Sequence, residues 1–166
     1  MEIFEASRAR HTAGTVALIA ATVLGVTACA ATRVATPGGK PIHVQDARLG
    51  VTLRTDRRNT VTVTAYRSTV GGHPSHGVHF EAADLSICAR VSGGVVGPSM
   101  TSLRTINNKV VLASAATSIA PPLKSQQLRR DHCAHGWVTF HVPDTTTGGR
   151  VVVSDHNDDS MRWAVH

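Results

Sequence analysis

Apolar and polar residues alternate over several short segments from position 49 onward, and this pattern predicts β-strands. Every second residue is apolar in the segment 49–53, and Val138, Phe140 and Val142 show the same period most clearly. Successive side chains of a strand point to opposite faces, so this period predicts one face on a core and one in solvent. No segment after the first 28 residues has the period of a helix.

Turn-forming residues separate these segments at short, regular intervals. The predicted strands lie within 49–53, 61–63, 78–91, 100–105, 109–113, 136–142, 150–154 and 161–165. Asn107 and Asn108 predict a hairpin turn between two of them, whereas segments 71–77 and 119–130 contain Gly or Pro and are predicted to be mostly irregular. Seven to eight short strands predict an all-β fold, an antiparallel β-sandwich.

The N-terminal segment has the organisation of a signal peptide. Arg8 and Arg10 precede an apolar run, Thr15 to Val26. The run has the length of a signal-peptide core and is shorter than the ~20 residues needed to cross a bilayer. We therefore predict a signal peptide over residues 1–28.

The end of this segment, Val26-Thr27-Ala28-Cys29, resembles the lipobox of bacterial lipoproteins. In such proteins the cysteine receives a diacylglycerol before cleavage, so Cys29 is the predicted lipidation site and the partner is the membrane, on its extracellular side. A second cut is open, because Ala28-Cys29-Ala30 also fits a signal-peptidase site. That cut would remove Cys29 and release a secreted protein.

Residues 29–41 are small and polar and contain two prolines and two adjacent glycines. This composition predicts a flexible tether with a reach of ~20 Å. The remaining residues, 42–166, form the predicted sandwich domain.

The three cysteines are consistent with export. Without Cys29, Cys88 and Cys133 remain as an even pair, as expected in an oxidising compartment. A bridge between them would close a loop of 45 residues and contribute about 4 kcal/mol to the free energy of unfolding. Neither cysteine belongs to a C-x-x-C motif, so the predicted role of the bridge is structural.

Three segments together resemble a known family. They are Leu85 to Ala89, Cys133 to Pro143 (CAHGWVTFHVP) and Arg162 to Val165. They are similar to the secreted immunoglobulin-like lipoproteins of Gram-positive, mainly actinobacterial, bacteria, a family akin in fold to the mycobacterial immunoprotective extracellular antigen. The resemblance covers roughly residues 41–166 and implies an immunoglobulin-like sandwich and a lipid anchor or secretion. It implies no catalytic residues, so the chain is not expected to be an enzyme.

Charge narrows the choice of partners. The chain has 17 Lys and Arg against 11 Asp and Glu, a net charge of +6. Nucleic acid is not expected as a partner, because no aromatic residues are interleaved with the basic ones for base stacking. An exported basic domain would instead encounter anionic lipid, an anionic cell-wall polymer or a surface protein.

Histidine is the unusual residue type, with ten in the chain. His73, His76 and His79 are three residues apart in a glycine-containing segment, and a strand running back from Cys133 would bring His141 near them. Neutral imidazoles bind zinc and copper, so these four residues are the candidate metal ligands. Solvated surface histidines are the simpler interpretation, and no cofactor is required.

The sequence as a whole predicts a non-catalytic binding module, lipid-anchored at the cell surface or secreted. The first alternative is an extracytoplasmic zinc- or copper-binding protein that uses the histidine cluster. The second is a cell-wall-associated enzyme, although the chain has no G-x-S-x-G elbow and Ser75-His76 has no third catalytic partner.

Overall fold

The computed structural model describes residues 31–34, 42–55, 59–72, 75–114, 119–155 and 160–166. Within them the chain forms twelve strands and one short 3-10 turn, Pro98–Met100. The strands are β1 (Ala31–Val34), β2 (Ile42–Arg48), β3 (Thr52–Arg54), β4 (Thr60–Arg67), β5 (Val78–Cys88), β6 (Gly94–Val96), β7 (Thr101–Thr105), β8 (Val110–Ser114), β9 (Gln126–Leu128), β10 (Cys133–Pro143), β11 (Gly148–Ser154) and β12 (Ser160–Ala164). None of the described residues belongs to a helix long and apolar enough to cross a membrane.

The strands form a β-sandwich, which confirms the predicted fold class. Layer A contains β1, β2, β12, β11, β7 and the first part of β8, in that spatial order. Layer B contains the last part of β8, then β10, β5, β4 and β3. The small strands β6 and β9 pair with each other beside the two layers.

Strand β8 belongs to both layers. Leu112 pairs with Ser102 of β7, whereas Ala113 and Ser114 pair with Phe140 and Thr139 of β10. One strand thus continues the hydrogen-bonded ladder from one layer into the other, as strands do at sandwich corners.

One apolar cluster fills the space between the layers. Layer A contributes Leu103, Val151, Val153, Met161 and Trp163. Layer B contributes Val61, Val63, Leu85, Ile87, Val138, Phe140 and Val142. These residues include the alternating positions of the sequence pattern, and full burial of one such aliphatic or phenyl group contributes about 1.5–3 kcal/mol.

The predicted hairpin about Asn107 and Asn108 is confirmed, with Asn108 in a left-handed conformation (φ 68°).

The structure differs from the sequence prediction in two N-terminal strands and in the direction of one strand pair. Strand β2 precedes the predicted segment 49–53, and β1 lies within the predicted tether 29–41. Both strands are held by backbone pairing, β1 to β2 and β2 to β12, which needs no apolar alternation. The pair β2–β12 is parallel, in a sandwich expected to be antiparallel throughout.

Cys88 and Cys133 form a disulfide, as the cysteine count predicts. They are the last residue of β5 and the first of β10, and they lie directly opposite each other with their Cα atoms 4.0 Å apart. The bond therefore joins neighbouring strands of layer B, unlike the inter-sheet disulfide of antibody domains.

Removal of this bond tests its share of the stability. Because the bond closes a loop of 45 residues, the double variant Cys88→Ala/Cys133→Ala is expected to lose about 4 kcal/mol, or roughly 10–25 °C in Tm. Thermal unfolding followed by circular dichroism measures the shift, and Cys29→Ser is the matched control. A double variant that melts with the control would contradict the prediction.

Candidate functional site

A buried carboxylate at one end of the sandwich is the most unusual polar feature among the described residues. Glu81 lies on the inward face of β5 and is 0% exposed. Its Oε2 accepts hydrogen bonds from the Tyr66 hydroxyl and from the Gly148 backbone N–H, the latter at 2.9 Å. Because Tyr66 and Glu81 belong to layer B and Gly148 begins β11 of layer A, the carboxylate links the two layers directly.

A β-bulge in β4 brings Tyr66 to this carboxylate. The register of β4 against β5 shifts between Val63 and Ala65, where β4 carries one extra residue. Val63 points into the core. Side chains alternate along a regular strand, so Tyr66, three residues later, would point away from the core if the strand had no bulge. The extra residue restores Tyr66 to the inward face, opposite Ala83.

Gly148 is required by the close approach of these groups. A Cβ at this position would collide with the Tyr66 hydroxyl and would lie 2.5 Å from Glu81 Oε2. The backbone N–H of Gly148 can reach the carboxylate only because no side chain intervenes.

His79 connects the carboxylate to the surface. His79 Nε2 lies 2.9 Å from Glu81 Oε1, and His79 Nδ1 lies 3.2 Å from Asp144 Oδ1. The side chains are 0%, 24% and 56% exposed for Glu81, His79 and Asp144. Tyr66, Glu81, His79 and Asp144 thus form a hydrogen-bonded chain, the acid–histidine chain, that runs from the core to solvent.

Burial raises the pKa of Glu81 above its ordinary value of 4.5, and the hydrogen bond from Gly148 opposes this effect. Desolvation disfavours the charged form of a carboxyl group, whereas donors that bind the anion favour it. The folded protein therefore retains the Glu81 proton at a pH where the unfolded chain has released it. Chemically, the acid–histidine chain can hold and transfer a proton, and it fastens layer A to layer B.

The pH dependence of stability tests this pKa. A folded-state pKa above the unfolded value stabilises the fold below about pH 4.5, and this contribution is lost as pH rises through the folded-state pKa. We expect the stability of the wild type relative to Glu81→Gln to fall as pH rises from 4 to 8, measured by urea unfolding. Asp131→Asn, which removes a surface carboxyl, is the control. A difference that is constant with pH would contradict the raised pKa.

The predicted metal ligands are not brought together by the described part of the chain. His79 and His141 lie one position apart in the β5–β10 register, because His79 pairs with Val142 and His141 with Phe80. Successive residues of a strand face opposite sides, so His79 points toward Glu81 whereas His141 packs on the outer face against Phe80, with ring centroids 4.7 Å apart. The expectation that His141 approaches His79 is correct for the backbone and wrong for the side chains.

The other two candidates give no further convergence. His76 lies in the exposed turn before β5, and His73 is outside the described residues. Within the part of the chain that the structure describes, no three His, Cys, Asp or Glu side chains are grouped so as to hold a metal ion. Metal binding through His73, His76 and His79 stays a prediction, as does lipidation of Cys29, which is also outside the described residues.

Sequence reasoning missed Glu81, although a signal for it was present. Glu81 has the same parity as Ala83, Leu85 and Ile87, which the alternation places on the core-facing side of β5. A charged residue in phase with an apolar face predicts a buried charge that needs partners. The partner Tyr66 could not be found in this way, because the bulge in β4 turns its side chain to the face opposite to the one that regular alternation predicts.

A separate feature, on the surface, lies at the hairpin of β7 and β8. Ile106, Val110 and Leu112 are 67%, 57% and 75% exposed. Val110 and Leu112 alternate with the half-buried Val111 on β8, so both point outward from layer A. We call these three side chains the aliphatic hairpin.

The fold is a β-sandwich similar to that of a secreted mycobacterial protein. Comparisons of the sequence with models of protein families and with curated proteins find no match. Comparison of structures finds the secreted protein MPT63 of Mycobacterium tuberculosis, with a TM-score of 0.60 and 14% identity, over 72% of this chain and 95% of that one.

Two further solved structures share the fold. A predicted lipoprotein of Bacillus subtilis, YcdA, aligns with a TM-score of 0.53 and 10% identity over 69% of this chain and 38% of its own. A functionally unknown protein of Listeria monocytogenes aligns with a TM-score of 0.51 and 13% identity over 69% of this chain and 80% of its own. At these identities the likeness is one of fold. The sequence predicts a likeness to exported β-sandwich proteins, and this likeness is confirmed for the fold.

Proposed function

We propose that this protein is a non-catalytic binding module at the extracellular face of the cell membrane, anchored through a lipid on Cys29. The observation that carries the binding role is the aliphatic hairpin. Ile106, Val110 and Leu112 belong to one hairpin, are aliphatic and are more than half exposed. Isolated exposed aliphatic residues are ordinary, whereas a group of them on one hairpin is a candidate interaction surface.

The acid–histidine chain supports a non-catalytic role. Glu81 is fully buried, and its oxygens are engaged by Tyr66, His79 and the Gly148 N–H. These contacts join strands of both layers, which gives the cluster a function in the fold. A general acid or base acts on a proton of a bound substrate within hydrogen-bond reach, and this carboxylate faces the core instead.

The export signal and the fold neighbours support the location. The lipobox-like segment ends at Cys29, and the similar structures include a secreted protein and a predicted lipoprotein. A lipid at Cys29 would keep the sandwich domain close to the membrane surface, because only short segments separate that residue from β2.

Metabolic labelling tests the anchor. A fatty-acid probe is expected to label the wild type in the membrane fraction, whereas Cys29→Ser should be unlabelled because it lacks the acceptor thiol. Cys88→Ala, which removes a different cysteine, should remain labelled and serves as the control. Unlabelled wild-type protein found only in the medium would contradict the anchor and favour cleavage after Ala30.

Site-specific photo-crosslinking tests the binding surface. A photoreactive phenylalanine derivative at Leu112 should form adducts in intact cells, because this aliphatic side chain is 75% exposed within the group. The matched control carries the same derivative at Val95, an exposed aliphatic residue on β6 (53% exposed). Gel mobility and mass spectrometry detect the adducts. Equal adduct formation at both positions, or none at Leu112, would contradict the proposed surface.

A further inference from the structure

The outward face of layer A carries a row of arginines. Cross-strand pairing aligns Arg48 of β2, Ala164 of β12, Arg150 of β11 and Arg104 of β7, and the next partner is Val110 of β8. Neighbouring strands lie about 4.8 Å apart, so these five aligned positions extend for roughly 20 Å across the sheet, and the arginines for about 14 Å. We call Arg48, Arg150 and Arg104 the arginine row.

The arginine row lacks acidic partners among the described residues. On the same face, in the adjacent cross-strand row, Arg162 is paired with Asp46 at 2.5 Å. The acceptor for Arg104 is the neutral Asn108 side chain, 2.8 Å from its Nη1. The Arg104 Nε atom is buried and has no hydrogen-bond partner in the described part of the chain.

Arg104 and Arg150 lie directly opposite each other on neighbouring strands. Like charges in this position repel each other, and an anion between them would remove the repulsion. Both side chains line a shallow depression of about 260 Å³, and Asn108 and His166 also line it. Two guanidinium groups around such a depression match a phosphate group, which arginine binds through paired hydrogen bonds.

The aliphatic hairpin continues this face at β8, where layer A passes into layer B. Val110 is the last member of the cross-strand row, and Leu112 belongs to the neighbouring row. A surface that combines basic side chains with exposed aliphatic ones matches the interfacial region of an anionic bilayer, where phosphates meet acyl chains.

The chain leads directly from the proposed anchor into β1 of the same layer. Ala31 pairs with Gln45 on β2, the strand that carries Arg48. Cys29 precedes Ala31 by two residues, a length of chain that spans at most about 7 Å. A lipid there would hold the outward face of layer A within reach of the headgroups.

From these observations we propose that the outward face of layer A docks on the anionic lipid leaflet, with the arginine row on headgroup phosphates and the aliphatic hairpin at the acyl boundary. The choice of a membrane over a soluble polyanion rests on the proposed anchor at Cys29. The charge argument stands independently of that anchor.

Arginine footprinting tests this orientation with the full chain purified from producing cells. The protein is mixed with vesicles of phosphatidylcholine alone or with added phosphatidylglycerol, and phenylglyoxal modification is followed by mass spectrometry. We expect Arg48, Arg104 and Arg150 to react severalfold more slowly on the anionic vesicles, and high salt to restore their rates. The exposed Arg129 and Arg130 are internal controls and should react equally on both.

A charge-reversal variant supplies the second arm. In Arg104→Glu/Arg150→Glu, Arg48 should lose its protection, because the variant face no longer binds the anionic leaflet. The matched control Arg129→Glu/Arg130→Glu should keep Arg48 protected. Equal rates of the arginine row on both vesicle types, or protection by soluble polyphosphate but not by anionic vesicles, would overturn the proposal.

Vesicle flotation tests the lipid anchor at Cys29 separately from the docking face of layer A. Protein that floats with neutral vesicles is anchored, and equal arginine rates would then reject the docking face alone. Protein that does not float with neutral vesicles contradicts the anchor. In that case, protection of the arginine row on anionic vesicles still supports the docking face, and its absence rejects it.

Discussion

The pairing of β5 with β10 is the constraint on which the rest of the structure depends. These strands are in register over eleven residues, from Cys133 opposite Cys88 to Pro143 opposite Val78. Their inward side chains form the layer B side of the core. The two ends of the ladder have different chemistry, because a covalent bond closes one end and the acid–histidine chain lies at the other. Both are fixed by one register, and a slip by one residue would turn the core face outward.

The acid–histidine chain shows how a sandwich can join its layers with a charged group. Apolar contacts between the layers are strong but non-directional. The hydrogen bond from Gly148 to Glu81 adds direction, because it requires the start of β11 to lie at one position over β5. Burial of an unpartnered carboxylate would cost several kcal/mol, so the three partners of Glu81 are a condition of the fold.

The sequence predicts the layers well and the side-chain chemistry poorly. Alternation identifies the core positions of β5 and β10, since period 2 reports directly which face is buried. It does not identify β1 and β2, because backbone hydrogen bonds hold these strands in layer A without a requirement for apolar alternation. The cluster around Glu81 depends on a one-residue bulge in β4 and on a glycine at the start of β11. Neither feature has a periodic signal. The direction of the strand that starts at Cys133 likewise suggested His79 and His141 as neighbours, whereas the pleat places their side chains on opposite faces.

The disulfide also makes a ring of the chain between Cys88 and Cys133, and this ring includes β6 to β9. Because β7 lies in layer A and β8 in both layers, the ring includes strands of both layers. A protease that cuts once within the exposed segment 90–93 would leave a single covalent molecule, with both new ends still tied to the β5–β10 ladder. For a domain proposed to work outside the cell, where a damaged copy cannot be resynthesised in place, nicking would leave the fold connected.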